Sequence, residues 1–471
     1  MAYTRRRFLE TAAAAGAGAA GIYELVERLG TPPARADVVE PAPAEQHLLT
    51  GERIVRDDGV PVIVPPLHHE LVTARVRVSR RARELRAART ELERVLRSLD
   101  QSFAPSPAGL GVTVAWGLPY FRRLVPGLAE AHLPVDVEAS RRARKPVSVL
   151  RDSIRFPSDP HDAVLDDADV AILLRSDSAA HVAEAARRIF HGPAGGLLEV
   201  RSVRRGFVGG GFDGEMGLPK KMALAAGVPG AHKIPDAAEL FLGFTSTQRS
   251  TQGPGRIANF ETLGLVDRVG YFRHGTQMHL SHLFEDLEEW YGRYDHAQRV
   301  QLTFRPGVRA RPGARTVPQV LHSPYHADVT ARQYRHTGVI GHSGAIQSAS
   351  RLPRSVRGPD GTVYPRGTAV PQRADFNTLD NPFAWTADSK RDGFRKGAAA
   401  GIHFVSFQPT TTFFERVRLA MDGRFADGEH LYFERRDPGQ GINRVLRTTH
   451  RQNFVVPPRA HRSFPLVELL R

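Results

Sequence analysis

Between Gly206 and Gly214 the chain carries five glycines, and Asp213 is the sole ionisable group at the centre of Gly210-Gly211-Phe212-Asp213-Gly214. Without Cβ atoms, such a backbone can come close to something flat or bulky. The segment lacks the Lys-Ser/Thr ending of a phosphate loop. Cysteine is absent and histidine occurs 20 times. Thiolate catalysis, disulfides and Cys-ligated zinc or iron–sulfur centres are therefore excluded, and any metal must use His or carboxylate ligands. His279, His282 and Glu285 form one such set. On a helix they would share a face. On a strand His279 and His282 would point to opposite faces and could not share a metal.

These residues must be positioned by regular elements. Leu71 to Val78 alternates like a strand, and Arg81 to Leu99 carries apolar residues at helical spacing. Val112 to Trp116 and Asp169 to Leu174 are further strands, and Ser178 to Phe190 is a helix. A similar series recurs with strands at Glu239 to Phe244, Gln277 to Leu283 and Ile402 to Phe407, and helices around Glu285 to Tyr291 and from Thr412 to Met421. The expected fold class is α+β, with two ferredoxin-like halves, 67–225 and 226–471. Arg305 to Pro318 and Pro353 to Pro371 are expected to be loops.

The 471 residues suffice for two such halves and a cofactor-sized cavity, and 41% hydrophobic with 24% charged residues fits a globular protein. The charge of +15 comes mostly from scattered arginines, and without a binding motif it reads as a solvated basic surface, with no nucleic-acid partner expected. Thr4-Arg5-Arg6-Arg7-Phe8-Leu9 resembles a twin-arginine signal, followed by an Ala/Gly-rich run and the small-x-small site Ala34-Arg35-Ala36. Residues 1–36 are thus expected to be an export address read by the twin-arginine translocase. The mature protein would lie in the periplasm or cell envelope, or outside the cell. Residues 37–66 are expected to be a linker or surface arm.

Gly210-x-x-Asp213-Gly214 also matches the Gly-x-x-Asp-Gly motif of dye-decolourising haem peroxidases, and flanking stretches resemble that family in the same order over roughly residues 70–425. They include Thr113 to Phe121, Asp169 to Asp177, Glu239 to Phe244, and Gly401 to Phe407 with Phe414 and Arg418. The resemblance implies one haem b per chain between the sheet and the helices of the C-terminal half, with hydrogen peroxide and an organic reductant as substrates. It leaves open a homo-oligomer and a haem-binding or haem-iron-handling role. It gives Asp213 the distal acid–base position beside Gly210, Gly211, Phe212 and Gly214. It gives Arg373 the distal charge, with Arg351, Arg354 and Arg366 as competitors. It makes His342, among the small residues Gly341, Ser343 and Gly344, the axial ligand, with His336 next. An Asp remains ionised at acidic pH, so the resemblance implies an acidic optimum. Two departures stand out. Glu215-Met216-Gly217 follows the motif in place of the usual Asn-Pro, and the span from His342 to Arg373 is long. Trp116, Trp290 and Trp385 are candidates to relay oxidising equivalents to the surface.

Overall fold

The computed structural model describes residues 22–30, 42–209, 214–245, 270–317, 327–352, 354–357, 363–380, 398–433 and 440–471. In chain order the elements that matter are α1 (Glu24–Leu29), β1 (His68–Val76), α2 (Ala82–Ser102), β2 (Gly111–Gly117), β3 (Val170–Ser176), α3 (Ala179–Ala186) and β4 (Leu198–Phe207). They are followed by α4 (Leu218–Ala225), β5 (Thr276–Glu285), α5 (Leu287–Arg293), α6 (His342–Ser350), β6 in two pieces (Gln372–Arg373 and Phe376–Thr378), β7 (Gly401–Gln408), α7 (Thr411–Met421) and β8 (Leu446–Val456).

Strands β1 to β4 pair in the order β4-β1-β3-β2, all antiparallel, and β5 to β8 pair in the order β8-β5-β7-β6. Each half therefore has the 4-1-3-2 sheet of a ferredoxin-like unit, and the fold class is α+β. The two sheets join at both edges. Phe454 and Val455 of β8 pair with Gly117 and Trp116 of β2, and Asn377 of β6 pairs with Phe207 of β4. Eight strands thus close into a ring in which each has a neighbour on both sides.

Closure buries both faces of most strands, and this explains apolar runs such as Val170 to Leu174. Leu71, Leu173, Met278, Leu280, Phe407 and Phe454 fill the interior. Farther along the interior His403, His282 and His450 are cross-strand neighbours. His450 bonds Asp166, and Asp166 pairs with Arg204. On the outer face of the N-terminal half, Val112, Val114, Ile172 and Leu174 meet Leu85, Leu92, Leu96 and Leu99 of α2, whose spacing is that of an amphipathic helix.

Three sequence expectations require correction. Glu239 to Phe244 is a turn-rich segment, not a strand; its apolar residues Phe241, Leu242 and Phe244 are buried beneath α5, and Asn377 satisfies its backbone by donating to Glu239 O and accepting from Phe241 N. The 37–66 arm contains a hairpin, Arg53–Asp57 against Val60–Val64, turned by Asp58 and Gly59 at positive φ. Gln46 then reaches the barrel and donates to Val114 O and Pro457 O. Finally, Ile22 to Gly30, excluded from the fold as part of the address, packs into it, with Leu25, Val26 and Leu29 buried. No helix among the described residues is long and apolar enough to cross a membrane.

Candidate functional site

The outer layer of the N-terminal half is filled by α2, whereas the same layer of the C-terminal half is hollow. There the outward-facing positions of β5, β6 and β7 face α6 and α7 across a cavity. Leu240, Leu242, Ile346, Ile402, Phe404 and Phe413 make its walls apolar. Polar groups enter at fixed points: His342 from α6, Arg373 from β6, Asp375 from the break in β6, Glu285 from β5, Arg418 from α7 and Arg451 from β8.

His342 is the first residue of α6, after Gly341 as N-cap. A Cβ at Gly341 would stand 2.3 Å from Arg305 Cα, and Gly344 N donates to Phe304 O at 2.8 Å. The glycines flanking His342 therefore seat the start of the helix against the Phe304–Arg305 corner. The imidazole is half-buried, and it lines the cavity. Its Nδ1 is buried without a hydrogen-bond partner. Burial, with Arg373 and Arg418 adding to it, pushes the ring pKa down to about 3, so the imidazole is neutral and its lone pair is available to a metal.

Arg373, at the end of the first piece of β6, and Asp375, in the break before its second piece, both line the cavity, with Nε and Oδ1 3.8 Å apart. Burial, with Asp375 nearby, pushes Glu285 and Glu239 up to about 8, so both hold a proton at neutral pH. Arg418 donates to Asp422 at 2.8 Å and Ser158 at 2.6 Å, and pairs with Asp159 at 3.2 Å. Arg451 also pairs with Asp159. Burial favours the neutral acid at Asp159, yet Arg451 and Arg418 hold its pKa below the usual range.

Of the sequence-predicted residues, the structure brings His342 and Arg373 to one cavity. Gly210, Gly211, Phe212 and Asp213 lie outside the described residues, and Gly214 adopts φ +84°. His336 is exposed on the helix Ala327–Thr337. Arg354 and Arg366 are exposed, and Arg351 is buried, donating to Gly367 O. His279 and His282 lie on strand β5, which removes the helical metal site with Glu285. His279 bonds Asn453 and Ser281 and stacks on Phe414, while His282 points inward, beside His403. Among the described residues no group of three or more His, Asp or Glu side chains is arranged to hold a metal. Trp116 and Trp290 are wholly buried and donate to Arg462 O and Leu242 O; Trp385 lies outside the described residues.

Sequence reasoning missed Asp375, Glu239, Asp159 and Arg451, and read Glu285 only as part of a metal set. Asp375 gave no periodic signal, because it falls where the strand is broken.

Several solved structures are similar to the chain. A dye-decolorizing protein from V. cholerae is 13% identical, with a TM-score of 0.47 over 85% of this chain and 96% of that one. An encapsulated DyP-type peroxidase from Mycobacterium smegmatis is 11% identical, at 0.48 over 85% and 95%. A DypB variant from Rhodococcus jostii in complex with heme is 12% identical, at 0.49 over 85% and 96%. No curated protein matches the sequence. The model of a family of unknown function, DUF7405, matches residues 66–458, and the chain belongs to that family.

Proposed function

We propose that the cavity of the C-terminal half binds one haem b through His342 and that the protein is a haem-dependent peroxidase. The observation that carries this reading is a neutral imidazole, His342, lining an apolar cavity that also presents Arg373. The donor set fits the group. Histidine is an ordinary haem ligand, the walls would match a porphyrin's apolar faces, and Arg373 would present a cation to the bound group.

When bound, haem supplies the redox chemistry toward peroxide. Arg373 would provide a positive charge for a developing oxyanion. Asp213, which the family resemblance gives the acid–base role, would move a proton between peroxide oxygens. The apolar walls exclude water and so strengthen both effects. Arg5, Arg6 and the Ala34-Arg35-Ala36 sequence support export through the twin-arginine translocase.

The unpartnered Nδ1 favours a second reading, haem binding or haem-iron handling without sustained turnover. A hydrogen-bond acceptor at that nitrogen would raise the basicity of the ligand, and none is present among the described residues. Steady-state oxidation of a dye by hydrogen peroxide, measured on protein carrying haem, separates the two. A peroxidase turns over many equivalents; a carrier shows only slow bleaching of its own haem.

A further inference from the structure

The two seams that close the barrel are unequal. At β2/β8 two residue pairs meet, whereas at β4/β6 only Asn377 and Phe207 pair. The β4/β6 seam is also close-packed, since a Cβ at Gly206 would lie 2.1 Å from Asn377 O. Helix α1 is attached on both sides of it. On the side of the N-terminal half, Glu27 Oε1 accepts from Ala179 N at 2.8 Å, and the Tyr23 ring sits 6.4 Å from that of Phe207. On the β6 side, the Tyr23 hydroxyl bonds Thr378 Oγ1 and accepts from Leu379 N, both at 3.1 Å. Lys221 of α4 donates to Leu29 O at 3.0 Å, and Leu25, Val26 and Leu29 are buried in the apolar cluster beneath.

We propose that α1 is a strap that holds the β4/β6 seam closed, and that cutting the chain after Ala36 releases it and loosens β6, the strand that carries Arg373. The segment read in the sequence as address would then have a second role, as an intramolecular clamp in the folded precursor. Three buried side chains on a six-residue helix hold it while it is tethered, because the tether keeps its local concentration high. Once severed, the peptide must bear its own ordering cost, and it leaves.

Hydrogen exchange on the full-length chain tests this. Leu25→Asp with Val26→Asp should expel α1. Amides 376–379 and 206–208 should then exchange about tenfold faster or more, while amides 116–117 and 454–455 of the other seam keep their protection. A second measurement covers the case in which the double variant fails to fold. A protease site introduced between Gly30 and Ala36, cut in the folded protein, should release the N-terminal peptide on gel filtration and produce the same exchange pattern. Unprotected amides at 28–30 in the uncut wild type would overturn the proposal. So would unchanged exchange at 376–379 after expulsion, equal loosening of both seams, or a cut peptide that stays bound.

Discussion

At the scale of single residues, the cavity brings together groups that are distant in sequence. His342 and Arg373 were legible as candidates only through a family resemblance, because a histidine among small residues has no spacing that distinguishes a ligand from a packed side chain. Asp375 and Glu285 were not legible in these roles. Their chemistry arises from burial beside one another, which no local pattern encodes. Arg373→Leu removes the only one of the four candidate arginines that lines the cavity. It should slow the reaction with peroxide across the whole pH range, whereas Asp213→Asn should slow it by about 10²- to 10⁴-fold, most visibly at acidic pH. Stopped-flow measurement of both variants checks this, and wild-type rates in both would remove the distal assignments. Haem should remain bound in each.

At the scale of elements, the N-terminal half was readable where β2 and β3 are apolar runs and α2 has a clean amphipathic face, whereas β4, Leu-Glu-Val-Arg-Ser-Val-Arg-Arg-Gly-Phe, is largely polar and was not read as a strand. The C-terminal half was harder. Its last strand, Leu446-Arg-Thr-Thr-His-Arg-Gln-Asn-Phe-Val-Val, is largely polar because one face meets the cavity and the other meets the histidine row inside the barrel. β6 is broken between Arg373 and Phe376 and follows a long insertion, so it offers no period to read. Conversely, Glu239 to Phe244 looked like a strand because it is apolar, and its apolarity reflects packing under α5. The seat of α6 is a direct consequence of Gly341. Gly341→Ala places a methyl against Arg305 Cα and should cost about 1–3 kcal/mol by denaturant unfolding. It should also weaken haem binding by displacing His342. Unchanged stability would show that the corner yields freely.

At the scale of the whole molecule, the interior sets opposing demands on pH. Burial depresses His68 to about 4 and His342 to about 3, and holds His69, His279, His282 and His403 well below the usual imidazole value. Their unfolded forms take up protons first, so this contribution is full above pH 6.5 and is lost as pH falls from there toward about 3. Glu239 and Glu285, raised to about 8, and Asp380, raised to about 7, act in the other direction. Their contribution is full below the unfolded carboxyl values and is lost as pH rises through 7 to 8. Thermal stability should therefore peak near about pH 6.5 to 7. A Tm that keeps rising down to pH 4 would contradict the buried neutral histidines. The acidic optimum implied by the family resemblance would thus be limited by the fold before the ligand, since His342 remains unprotonated to about pH 3. The central claim is that this molecule holds haem through His342. Its most direct test is the absorption spectrum of the protein purified from a haem-sufficient host, alongside His342→Ala and His336→Ala. A Soret band in the wild type and in His336→Ala, with sharply reduced occupancy in His342→Ala, is the predicted result. Full haem loading in His342→Ala, or no Soret band in the wild type after haem supplementation, would contradict it.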